Sequence, residues 1–122
     1  MTTRELPVLR TRGSWCAVEP AVRGDQAMAT AELLRVLADP TRLAMLATLR
    51  AADQSVCVCD FVGAYDLTQP TISHHMGKLR GAGLVDANKE GLWTYYRAVE
   101  PLPRVVEAVL DALRAEKQPL QA

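Results

Sequence analysis

No stretch of this 122-residue chain approaches the roughly 20 consecutive apolar residues that a membrane-crossing helix needs. Residues 1–25 hold no hydrophobic segment of the kind that directs secretion, so a cytoplasmic protein without membrane contact is expected. No glycine-rich phosphate loop is present, and no nucleophile, base and oxyanion-stabilising group can be assembled by spacing, which leaves catalysis the least supported class. Internal repeats and low-complexity tracts are absent. Net charge is absent too, with 14 Lys and Arg against 14 Asp and Glu, and this argues weakly against a polyanionic partner for the chain as a whole. Cysteine is scarce and odd in number, at three, two of them separated by one residue. In a reducing compartment that speaks against a disulfide framework and for free thiols with a chemical task.

What is present describes one globular domain: 49% of residues are apolar and 23% charged, a balance that builds a core without disorder. The charges are not evenly spread. Between Thr68 and Arg97 the cations Lys78, Arg80, Lys89 and Arg97 outnumber the anions Asp86 and Glu90, giving a locally basic surface on a neutral chain. Three regions are expected: an irregular arm over 1–25, a folded domain over 26–117 and a short tail over 118–122. The arm has two prolines, two glycines and no sustained period, yet it carries Trp15 and Cys16, a pair that predicts packing against something.

Periodicity then fixes the order of elements. Apolar residues from Met28 to Leu37 predict a helix over about 26–38. Asp39-Pro40 supplies an N-cap followed by proline at the first helical position, and Leu43, Met45, Leu46 and Leu49 carry a second helix to about Arg50. Asp60, Phe61, Val62, Ala64 and Tyr65 indicate a short third helix. The stretch LTQPTISHHMGKLRGAGLV reads as a fourth, capped by Thr68, with Pro70 in its first turn and Gly81 and Gly83 available to end it. Ile72, Met76 and Leu79 share one side at i, i+4, i+7. Thr71, His74, Gly77 and Lys78 lie opposite, with Ser73 at the margin, a face of hydrogen-bonding groups and a cation without any carboxylate. His75 falls nearer the apolar margin, as a packing residue. Two short helices, the second with such a face, make a helix-turn-helix. Alternation from Val85 to Val99 predicts a two-stranded wing, with Leu92, Thr94 and Tyr96 against Trp93, Tyr95 and Arg97 and a turn at Asn88–Gly91. Trp93, Tyr95 and Tyr96 are expected to pack the wing rather than stack on bases. A last helix after Pro103, to about Lys117, carries Val105, Val106, Val109, Leu110 and Leu113 along one side. Leaving several such side chains in water costs about 1.5–3 kcal/mol each, so a second copy of the chain is the expected cover. Mainly α with a small β-hairpin, a winged helix-turn-helix, is the expected fold, homodimeric through its terminal helices. Two-fold symmetry would place two reading helices about one DNA turn apart on double-stranded operator DNA. Thr68, Gln69, Thr71, Ser73, His74 and Lys78 are the candidate DNA contacts from the helix, joined by Lys89 and Arg97 from the wing.

LADPTRLAMLATL, CVCDF, LTQPTISHHMGKLRGAGLV and the aromatic wing together resemble the arsenical-resistance-type (ArsR/SmtB) family of metal-responsive repressors, over about residues 28–114. That resemblance implies a homodimeric repressor which binds its operator without effector and releases it when a metal or metalloid binds. Some arsenic-sensing members carry a third cysteine one turn after the CVC pair, where this chain has Val62. Others recruit cysteines from the N-terminal arm, an arrangement that Cys16 matches, from the same or the other subunit. Zinc-sensing members use Asp and His ligands on the last helix, which here offers Glu107, Asp111 and Glu116 but no histidine.

Cys57-Val58-Cys59 carries the chemistry. Within a continuous helix residues two apart point about 200° apart, so both sulfurs meet one ion only if this stretch is extended or opens a helix. A helix N-terminus is also expected to lower a thiol's pKa and favour the ligating thiolate. Sulfur ligation selects soft ions. Three thiolates (Cys16, Cys57 and Cys59) suit As(III) or Sb(III), with Cd(II) or Pb(II) as alternatives, while zinc usually takes four ligands. A thiol redox switch on the same DNA-binding protein, and a soft-metal carrier that does not bind DNA, are the competing readings.

Overall fold

A computed structural model describes residues 18–115. The arm carrying Cys16 and the tail lie outside the described residues. The elements in order are α1 (Gly24–Leu37), α2 (Pro40–Ala51), β1 (Val56–Cys57), α3 (Val58–Tyr65), α4 (Gln69–Gly81), β2 (Val85–Glu90), β3 (Trp93–Ala98) and α5 (Arg104–Ala115). Local chemistry sets most of these boundaries. Asp39 accepts the Arg42 amide at 2.9 Å with Pro40 opening α2. Thr68 Oγ1 accepts the Thr71 amide at 3.3 Å at the start of α4. Between α3 and α4 the chain turns at Asp66, whose backbone is left-handed (φ 55°), a conformation that a short polar side chain tolerates. After α4, Gly83 takes φ +78°, and the Leu84 amide returns to the Leu79 carbonyl at 3.0 Å, the wrapped helix end that glycine favours.

The core is continuous. Met45, Leu46, Phe61, Ile72, Met76 and Leu79 are sealed from solvent together with Leu84, Val106 and Leu110. The i, i+4, i+7 stripe of α4 therefore faces inward as its spacing demanded.

Three expectations need correction. The wing is a three-stranded antiparallel sheet in the order β1-β3-β2, not a two-stranded hairpin, because Val56 and Cys57 pair with Tyr96 and Tyr95. The hairpin turn lies at Gly91-Leu92 rather than Asn88–Gly91: Asn88, Lys89 and Glu90 are still paired, with Tyr95, Thr94 and Trp93. Within the hairpin, Gly91 takes positive φ (+63°), the signature of a two-residue turn with glycine first. Leu92 consequently sits at the tip, 87% exposed, and Trp93 is 47% exposed rather than packed, whereas Tyr96 is buried. Finally, α5 is not an uncovered projection, since Val106 and Leu110 complete the core. Away from the wing tip, the exposed large apolar residues are Leu113 of α5, Met28 and Leu34 of α1, and Val18 and Val22 before α1.

Candidate thiol site and nucleic-acid interface

The CVC segment is where a strand becomes a helix. Cys57 closes β1 and, with extended backbone (φ −72°, ψ 144°), is also the N-cap of α3. Its Sγ accepts the Cys59 amide at 3.4 Å, while Asp60 Oδ2 accepts the Cys57 amide at 3.3 Å. This is a capping box with sulfur in place of the usual hydroxyl. Because Cys57 lies outside the helix and Cys59 in its first turn, the two side chains turn to the same side, and their sulfurs are 2.7 Å apart, with the Cys59 thiol donating. Cys57 is buried and Cys59 exposed, so the pair is open from one side. The thiolate-favouring shift expected of a helix N-terminus is not what Cys59 shows. Its pKa is raised, first by the hydrogen bond to Cys57, then by loss of water and by the negative charges of Cys57 and Asp60. Deprotonation there must break a bond to sulfur beside a carboxylate, which outweighs the helix end.

Tyr95, which the sequence reading assigned only to wing packing, stands directly opposite Cys57 in the ladder. Its phenol is pushed up in pKa, chiefly by negative charge at Cys57, then by burial and by Glu90, Cys59 and Asp60. The signal for this neighbour was the strand register, which a two-residue strand does not reveal. Among the described residues no three His, Cys, Asp or Glu side chains gather where they could hold a metal. The acids of α5 are engaged instead: Arg50 bonds Glu107 and, at 2.9 Å, Asp111. Any further ligand for the thiol pair must come from elsewhere.

On α4, Gln69, Ser73, His74 and Lys78 are exposed and Thr71 is half-buried, on the side away from Ile72, Met76 and Leu79. Thr71 shares its hydroxyl with Thr68 at 2.9 Å. A side chain added at Gly77 would meet nothing within 4 Å, so the face is open there, while Lys78 borders a cleft shared with Glu32 and Val36 of α1. Lys89 is exposed near the wing tip, opposite Thr94. Arg97 is exposed at the other end of the wing, opposite Asp86, where it lines a cavity of about 90 Å³ with Asp53, Glu100 and Glu107. Lys89 and Arg97 thus lie toward opposite ends of the wing strands. His75, as expected of a marginal residue, is half-buried, its side chain 16% exposed.

A short helix with an open polar face behind a left-handed turn, flanked by a three-stranded wing, is the architecture of a major-groove reader. No helix among the described residues is long and apolar enough to cross a membrane. Comparison with known proteins agrees. Residues 39–87 match the bacterial regulatory protein, arsR family. The chain is 38% identical over 92 residues to the arsenical resistance operon repressor of Escherichia coli (strain K12), covering 75% of this chain and 78% of that one. It is 41% identical over 83 residues to an HTH-type transcriptional regulator of Methanocaldococcus jannaschii, covering 68% of this chain and 92% of that one. In three dimensions it is similar to reduced HlyU from Vibrio cholerae, with TM-score 0.64 and 27% identity over 77% of this chain and 95% of that one. On sequence, fold and site together, this chain belongs to the ArsR family of winged-helix transcriptional repressors, which are DNA-binding regulators and not enzymes.

Proposed function

We propose that the protein is a dimeric repressor that releases its operator when As(III) or Sb(III) is captured by Cys57 and Cys59, with Cys16 of the arm as third thiolate. The observation that carries this reading is the convergence of two sulfurs, one of them exposed, on the capping position of α3, the first helix of the DNA-reading pair. A guest bridging both sulfurs takes the place of the Cys59–Cys57 hydrogen bond and withdraws the Cys57 sulfur from its amide partner, loosening the entry to α3 and through it the seat of α4. Arsenite is the neutral hydroxide As(OH)3, so each thiol proton leaves with a hydroxide as water and its affinity should change little near neutral pH. A Cd(II) or Pb(II) cation instead releases the thiol protons to solvent, and its affinity should rise with pH. Cd(II) or Pb(II) would act by the same geometry.

Within the operator complex, Thr68, Gln69, Thr71, Ser73, His74 and Lys78 face the major groove and Lys89 the backbone; Arg97, at the far end of the wing, has at most a phosphate role. The exposed apolar residues of α1 and α5 are covered by a second subunit. The carrier alternative is set aside, because members of this family regulate transcription. The redox alternative retains one specific observation, the short separation of the sulfurs. Oxidation would join the two thiols as a disulfide, with both hydrogens and two electrons passing to a peroxide or diazene oxidant.

The test is a set of single variants of the full chain, Cys57→Ser, Cys59→Ser and Cys16→Ser, titrated with arsenite on operator DNA. Serine keeps a capping oxygen at Cys57, so operator binding should survive while arsenite-driven release is lost for Cys57 and Cys59 and weakened for Cys16. Release at the wild-type arsenite concentration by both CVC variants sinks the ligand assignment. Release of the wild type by diamide but not by arsenite, with a mass loss of two hydrogens, favours the redox reading.

A further inference from the structure

Arg42 lies in the first turns of α2, far along the chain from the thiols, and its side chain is half-buried. Its Nε donates to the Val36 carbonyl at 2.7 Å, one of the carbonyls at the end of α1 that has no partner within its own helix. The neighbouring ends are met by backbone: the Arg35 carbonyl takes the Ala38 amide and the Leu37 carbonyl the Asp39 amide. Arg42 Nη1 stands 3.4 Å from His75 Nδ1 on α4, and the Arg42 amide is the one that Asp39 caps. Asp39 Oδ2 is itself 3.9 Å from His75 Nδ1. A guanidinium only donates, so His75 Nδ1 is the acceptor while this contact stands and its proton sits on Nε2. One rigid fork thus joins the end of α1, the start of α2 and the margin of α4.

Ile72, Met76 and Leu79 seat α4 in the core. A directional hydrogen bond at the helix margin adds a separate constraint on its rotation about its own axis. His75 is the neighbour in sequence of His74, on the open face, and lies within a turn of Lys78. A rotation of α4 that breaks the contact to Arg42 swings both of those side chains relative to α1. We infer that Arg42 and His75 form a positioning pair that sets the roll of the recognition helix and hence its operator specificity. This rests on the reading of α4 as the DNA-contacting helix, and the experiment separates the two.

An operator duplex is selected from a random pool with the full wild-type chain, and binding is followed by anisotropy beside an unrelated duplex at the same salt. His75→Leu and Arg42→Lys, which loses the fork but keeps the charge, should each weaken operator binding roughly tenfold and leave the unrelated duplex unaffected. His75→Asn, whose carbonyl oxygen lies where Nδ1 does, should recover most of the loss. The double variant His75→Leu with Arg42→Lys should be no worse than the weaker single variant. Additive losses, failure of asparagine to rescue, a parallel fall for both duplexes, or no loss in His75→Leu overturns the positioning role. Gln69→Ala is the control for the underlying reading. If it lowers operator affinity while His75→Leu does not, only the positioning pair is wrong; if neither does, α4 is not the reading helix.

Discussion

At the scale of single residues, two groups in this chain hold more than one assignment, and each makes a measurable prediction. Asp39 caps α2 and its carboxyl is held below the usual range, chiefly by the Arg42 amide and then by the charge of Arg42. A depressed folded-state pKa gives stability that is present above the unfolded value and disappears as pH falls through the folded one. Wild type should therefore exceed Asp39→Ala by about 1 kcal/mol in urea melts near neutral pH, and the gap should narrow below the ordinary carboxyl value of 3.8. Gly77 is the second case. Its place in the middle of α4 lowers helix stability, and added bulk there meets open space. Gly77→Ala should raise unfolding stability by roughly 0.5–1 kcal/mol and weaken operator affinity, since the added methyl occupies the path of the duplex. Unchanged affinity in that variant would place DNA elsewhere. The polar face of α4 was legible from spacing alone because a helix converts sequence separation into angle. The doubled role of Cys57 was not, although Cys57 and Asp60 stand at the spacing of a capping box, because cysteine is not among the usual cap residues.

Elements show the same division. Helices α2 and α4 were bounded correctly by Asp39-Pro40 and Thr68, and α4 ended at the glycines, because caps are local chemistry written in one or two residues. Gly83 carries a specific consequence: at φ +78° an added Cβ is strained, and Gly83→Ala should cost about 1–2 kcal/mol, read as a lower denaturant midpoint with unchanged slope. Strand β1 has no signature in the sequence, since two residues have no period and its existence depends on pairing with β3 nearly forty positions later. The hairpin was misplaced for a related reason. Asn88 to Gly91 is rich in turn formers, but the register that buries Val85 and Tyr96 carries the pairing on to Glu90 and Trp93. Tertiary pairing overrode local propensity.

Across the described residues, the large apolar side chains left uncovered away from the Leu92–Trp93 wing tip lie on α1, on the segment leading into it and on α5, the elements that the expected dimer would use. Leu34→Glu together with Leu113→Glu should give a soluble monomer by sedimentation, with melting still cooperative because neither side chain belongs to the sealed core. Operator affinity should fall by far more than the factor of two that halving the contacts alone suggests, as two linked heads act at a high effective concentration. The dimer was expected from the apolar side of the last helix, but Val106 and Leu110 of that side belong to the core and Leu113 is the large apolar residue it leaves exposed. The exposure of Met28 and Leu34 on α1 was not legible, because apolar residues there pointed equally well to the core.

The β1–β3 pairing has a further consequence for how such a protein can change. Cys57 and Tyr95 are ladder partners, so the mouth of the thiol pair and the backbone of the wing move as one piece. A mutant library screened for altered inducer response should then return hits in the middle strand of the wing as well as beside the cysteines. Lineages that acquire a new inducer would carry compensating changes at positions that never touch it.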